Sequence, residues 1–111
     1  MKRYCKQLDL KNDASLIDAY ELIHAKGQVW TEITEGMKVV GILDMEIYRI
    51  ENRLFMIMDT EDHFEHEKAM TQLAMLPRQK EWEEYVSQFQ KTESDSASEK
   101  WQLMKRIYKM D

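Results

Sequence analysis

Two residues one helical turn apart, Tyr20 and His24, carry the most chemical information in this chain of 111 residues. A separation of four places them on one helix face, ~6 Å apart along the axis with about 40° of rotation. A phenol and an imidazole that share a face can each give and take a hydrogen bond, and an imidazole titrates near neutrality. Gly27 breaks the helix behind them and Trp30 opens a new segment. That combination suits a small polar ligand. It suits equally a half-buried histidine satisfied at a helix end, the more ordinary outcome of this spacing on its own.

The other candidate clusters are weaker. His63 and His66 are three apart and could share a helix face, but the spacing matches neither H-E-x-x-H nor H-x-x-E-H. No further histidine or cysteine lies near them, so an acid-rich first helical turn is expected and no metal. Asp9, Asp44, Glu46 and Asp59 could supply paired carboxylates, although sequence spacing does not bring them together. Glycine-rich phosphate loops, nucleophile elbows and basic-aromatic stripes are all absent from the sequence. Trp82 offers an indole face on which a sugar could stack; its helical spacing to Phe89 serves core packing equally well.

Composition narrows the classes. Acids outnumber bases for a net charge of -5, with 33% of residues charged, which argues against nonspecific nucleic-acid or anionic-membrane binding. The single cysteine, Cys5, allows no internal disulfide and fits a reducing cytoplasm. The N-terminal residues lack a signal-peptide pattern, and no apolar run approaches membrane-spanning length. The nine methionines suit adaptable core packing or a flexible apolar pocket, and core filler is the expected use. Residues 1–111 read as one domain.

The positioning elements follow from periodicity. Tyr4 to Leu10 alternates as a strand, with Lys6 spoiling its apolar face. Asn12-Asp13 caps a helix that runs through Leu16, Ile17, Tyr20, Ile23 and His24. Trp30, Ile33 and Met37 mark a second short helix, closed by Gly36 or the residues just past it. Val39 to Ile50 is the strongest strand, Glu51-Asn52-Arg53 a hairpin turn, and Leu54 to Met58 an interior strand covered on both sides. Asp59-Thr60 is expected to cap a helix over 61–76, with Met70, Leu73 and Ala74 facing inward. Pro77 stops it, and Trp82, Tyr85, Val86 and Phe89 define the next helix. Lys91 to Lys100 reads as an exposed loop and Trp101 to Met110 as a last strand. The order β-α(α)-β-β-α(α)-β predicts an α+β fold, the ferredoxin-like split βαβ with an antiparallel four-stranded sheet. The strands carry apolar groups on both faces. A homodimer packed sheet to sheet, a dimeric α+β barrel, would cover the second face.

Taken together, Tyr20-x-x-x-His24, Trp30-x-Glu32-Ile33, Gly41 with Ile47-Tyr48, Leu54-Phe55 and Trp82 resemble the L-rhamnose mutarotase family over nearly the whole chain. The resemblance implies a dimeric, cofactor-free enzyme that interconverts the α and β anomers of a 6-deoxy-L-sugar. It places the family's proton-donating histidine on His24 and its substrate-binding tyrosine on Tyr20. A second sugar-contacting tyrosine falls on Met45, and the family's Trp-Trp pair falls on Glu81-Trp82. At those two positions the chain departs from the pattern. The run from Gly41 to Tyr48 looks more like members associated with L-fucose than with L-rhamnose.

The chemistry fits these residues. Mutarotation opens a ring hemiacetal and recloses it on the other face. One group protonates the ring oxygen while another takes the anomeric hydroxyl proton, and a histidine can serve either need. Asp44, Glu46, Tyr48 or a water are open candidates for the second carrier. Two other readings compete: a small monooxygenase or haem-degrading enzyme of the dimeric barrel type, and a ligand-binding regulatory module. The Tyr20–His24 pair favours the mutarotase, since a passive binder has less use for it.

Overall fold

The computed structural model describes residues 1–92 and 100–110. Its elements are β1 (Lys2–Asp9), α1 (Ala14–Ile23), α2 (Thr31–Val39), β2 (Ile42–Ile50), β3 (Arg53–Thr60), α3 (His66–Ala74), α4 (Gln79–Ser87) and β4 (Gln102–Leu103). The strands form one antiparallel sheet in the order β2-β3-β1-β4, the ferredoxin-like arrangement expected.

Local signals explain most boundaries. The Asp13 carboxylate accepts from the amides of Ser15 (2.9 Å) and Leu16 (3.1 Å), which caps α1. Beyond α1, Gly27 takes a φ of +83°. Gly41, at φ +100°, separates α2 from β2, and a Cβ there would lie 2.6 Å from the Glu61 carboxylate. The expected strand from Val39 therefore starts three residues later, because Val39 completes α2. Gly36 does not end α2. It lies buried inside the helix, where a Cβ would sit 3.4 Å from the side chains of Leu73 and Leu76, so a small residue lets α2 approach that segment closely.

Other expectations are corrected. Helix α3 starts at His66, because Asp59 and Thr60 finish β3 and its N-cap is Glu65. Ala74 is exposed and Ala69 takes its place in the core with Met70 and Leu73. Tyr85 is exposed on α4, and Phe89 lies past the helix end, although buried. Phe55 and Ile57 are only half buried, so β3 is covered on one face within a single chain. The last strand shrinks to Gln102–Leu103, paired with Lys6 and Gln7; Met104 to Met110 forms no strand. Of the expected loop, residues 93–99 lie outside the described residues.

Residues of even number in β1 and β3 face the helices. Leu8, Leu54, Met56 and Met58 are buried there, and so is Lys6. Past β1, Leu10 exchanges a backbone bond with Asn52 (2.7 Å) and Lys11 with Phe89 (2.9 Å). These bonds pin the β2–β3 turn and the exit of α4 to one corner, which sets Gln90 beside the start of the helical layer.

Candidate active site

Between the helices and the inner face of the sheet lies a cavity of about 830 Å³. All four site residues expected from the sequence line it: Tyr20 and His24 at the end of α1, Met45 of β2, and Trp82 of α4. The size is that of a small-molecule site.

His24 is the C-cap of α1 and half buried. Its Nδ1 lies 2.8 Å from the backbone carbonyl oxygen of Tyr20. A carbonyl only accepts, so Nδ1 carries the hydrogen and Nε2 of the neutral ring is left as an acceptor. Burial pushes the His24 pKa below its ordinary value, and the bond to the Tyr20 carbonyl opposes this in part. The ring is thus mainly neutral at pH 7.

Tyr20 is buried and stacks on His24 at a centroid distance of 4.2 Å, tilted by 31°. Burial raises its pKa well above the ordinary phenol value, while a hydrogen bond from Gln90 and the charge of Glu83 act in opposite senses. The hydroxyl therefore stays protonated.

Trp82 is only 5% exposed. Its indole meets His24 edge-on at 5.5 Å and Trp30 at 5.1 Å, while Trp30 stacks on Tyr85 at 5.7 Å under the Arg78 guanidinium. Core packing and cavity lining, weighed as alternatives from the sequence, are joined in this one side chain. Glu81, at the other position of the family's tryptophan pair, is exposed and faces Arg78 at 3.6 Å. Met45 is half buried and in register with Met58.

The carboxylates do not converge on His24. Asp44, Glu46 and Tyr48 alternate with Met45 and Ile47 and share the sheet face away from the helices. Glu46 accepts from the Tyr48 hydroxyl at 2.5 Å. Asp59 is held by Arg3 at 2.7 and 3.0 Å, and Asp9 by Arg53 at 3.1 Å. Asp44 and Tyr48 touch the cavity only where β2 borders it. His66 bonds its neighbour Glu67, and its ring packs on Tyr4 at 5.1 Å. Among the described residues no group of three or more His, Cys, Asp or Glu side chains could hold a metal ion.

Several lining residues were not legible as functional. Lys6 projects from β1 into the cavity wall at 2% exposure. Glu83 also lines it, accepting from Gln79 (2.9 Å) and from the buried Lys100 (3.0 Å). Gln79 and Gln90 each keep a buried side-chain oxygen without a partner. For Lys6 the signal was present: an interruption of an otherwise apolar face at the position that must point inward. Gln79 and Glu83 carried no comparable mark.

A family model described as L-rhamnose mutarotase matches residues 3–110. An L-fucose mutarotase of Xanthomonas campestris is 37% identical over 109 residues, which span 97% of this chain and 87% of that protein. A UPF0734 protein of Dictyostelium discoideum is 31% identical over 115 residues, covering 99% and 90%. The crystal structure of an L-rhamnose mutarotase from Formosa agariphila superposes with a TM-score of 0.69 at 16% identity over the whole of both chains, a likeness of fold.

Proposed function

This chain belongs to the L-rhamnose mutarotase family and is a sugar mutarotase, an isomerase; on that premise we propose that it interconverts the α and β anomers of L-fucose, with His24 as the proton carrier. The L-fucose mutarotase relative supports this choice of sugar, as does the run around Met45, where the resemblance expects a tyrosine.

One observation carries the mechanism: Nδ1 of His24 is committed to the Tyr20 carbonyl, so the reactive nitrogen is Nε2 and the resting ring is neutral. In that form His24 acts first as a base. Nε2 takes the anomeric hydroxyl proton as the C1–O5 bond breaks, and the ring oxygen receives a proton from a second carrier. Rotation about C1–C2 turns the other face of the aldehyde to the ring oxygen. On reclosure the imidazolium returns its proton to O1 and the second carrier recovers its own. Assistance of this kind is worth about 10²–10⁴-fold. Tyr20 orients the sugar through its hydroxyl, and Trp82 and Met45 form apolar walls for the ring and the C6 methyl group.

The working unit is a cytoplasmic homodimer. Two features support it: the half-buried Cys5, Phe55 and Ile57 on the outer sheet face, and the exposed apolar tail with Ile107 at 91% and Tyr108 at 75%.

The test is proton NMR saturation transfer between anomers, run on L-fucose, L-rhamnose and related aldoses. Exchange fastest on L-fucose supports the reading. A clear preference for L-rhamnose would overturn the choice of sugar, and no acceleration on any aldose would overturn the mutarotase reading itself.

A further inference from the structure

Lys6 lies mid-strand in β1, in register with Met56 of β3 and Leu103 of β4. Its side chain turns to the helix-facing side, where the neighbouring positions are apolar, and is 2% exposed. It lines the same cavity as Tyr20, His24, Met45 and Trp82. Among the described residues its ammonium forms no hydrogen bond or ion pair. Lys100, also 3% exposed, shows the ordinary solution, since it is tied to both a carboxylate and a carbonyl of Glu83.

An ammonium without a hydrogen-bond or ion-pair partner, carried by a nearly buried side chain at the wall of a largely apolar cavity, is a costly group to keep. Titratable or charged groups border the cavity from α1 (Tyr20, Glu21 and the C-cap His24), α2 (Lys38), β2 (Asp44, Tyr48 and Arg49) and α4 (Glu83). Glu83 is already occupied by Lys100 and Gln79. From α3, the attraction of Glu67 offsets only part of the desolvation, which pushes Lys6 down to about 8. At pH 7 the group is still mostly charged, with three donors and no acceptor of its own. A pyranose in this cavity brings what is missing, several oxygen acceptors on an otherwise apolar ring.

We propose that Lys6 is a substrate-contacting residue whose ammonium donates a hydrogen bond to one oxygen of the bound sugar, so that the site selects sugars presenting an acceptor there. This rests on the mutarotase reading above. A hydrogen bond from a charged donor to substrate is worth about 10–100-fold in kcat/KM.

The experiment compares wild type with Lys6→Met by saturation transfer at pH 7, on L-fucose and its monodeoxy analogues. Wild type should lose about 10–100-fold on one analogue. Lys6→Met should lose a similar factor on L-fucose and show no further loss on that analogue. Wild-type behaviour of Lys6→Met on every sugar would overturn the proposal. So would a uniform loss that preserves the wild-type ratios, because that is the mark of a purely structural lysine. Should the variant not fold, ¹⁵N NMR of the wild-type Lys6 Nζ decides: saturating L-fucose should shift the signal and raise its pKa, and an unchanged titration would refute the contact. Absence of anomer exchange by wild type on all sugars would instead defeat the mutarotase reading.

Discussion

His24 and Tyr20 are joined twice: their rings stack at 4.2 Å, and Nδ1 of the histidine donates to the tyrosine's own backbone carbonyl at 2.8 Å. The second contact fixes the tautomer, and the first holds the ring plane. Together they leave one unprotonated nitrogen, Nε2, free to act while the backbone carbonyl and the phenol ring hold the imidazole.

Tyr20→Phe removes the hydroxyl and keeps the stack. We expect kcat/KM for anomer exchange to fall by no more than about tenfold, the worth of one neutral hydrogen bond. Because Gln90 then loses its phenolic partner in a buried setting, stability should drop by about 1 kcal/mol in urea unfolding. A loss of activity as large as that of His24→Ala would give Tyr20 a larger role than orientation.

Trp82 is too buried for alanine to isolate a sugar contact. Trp82→Ala should cost about 3–5 kcal/mol, as for other buried large aromatics, and melt sharply lower. Trp82→Phe keeps most of the packing against Trp30 and His24, and should weaken sugar binding more than it lowers Tm. An unchanged affinity in Trp82→Phe would assign the indole to the core alone.

Lys6 also shapes pH stability. Its folded pKa, about 8, lies below the ordinary lysine value. The penalty is therefore full below pH 8 and fades as pH rises toward the unfolded pKa, so this group makes the fold more stable on the alkaline side. Lys6→Met should raise unfolding stability at pH 7 by on the order of 3 kcal/mol and remove that alkaline gain. Equal stability of variant and wild type at pH 7 would contradict this.

Asp59 behaves in the opposite sense. The Arg3 guanidinium holds its carboxyl below the usual range. Its contribution is present above the unfolded carboxylate pKa and is lost as pH falls through the lower folded value. Asp59→Asn should flatten the acid limb of the stability profile, which a series of thermal melts across acid pH would register.

The fold was legible because most strands and helices announce themselves by alternation or by helical spacing, and Asp13 and Gly27 punctuate them locally. What escaped the sequence depended on tertiary partners. Asp59 and Thr60 look like a helix cap but continue the ladder opposite Arg3 and Lys2. Met104 to Met110 alternates like a strand, yet the ladder with β1 stops after the Met104 amide bonds the Cys5 carbonyl at 2.8 Å, and alternation alone does not reveal where that pairing ends. The site was half legible. His24, Tyr20, Met45 and Trp82 line one cavity, whereas the pairing of Glu83 with Lys100 becomes visible only once Lys100, just ahead of β4, reaches α4. Lys6 looked like a flaw in an apolar face, and it is one of the charged groups that line the cavity.

The central claim is that neutral His24 carries the proton through Nε2, and saturation transfer on L-fucose as a function of pH, for wild type and His24→Ala, tests it most directly. Wild-type exchange should fall as pH drops below the ordinary histidine value of about 6.5, because a protonated Nε2 no longer accepts. His24→Ala should lose about 10²–10⁴-fold while remaining folded. Exchange at the native rate in His24→Ala, or a wild-type rate that rises as the imidazole protonates, would contradict the account.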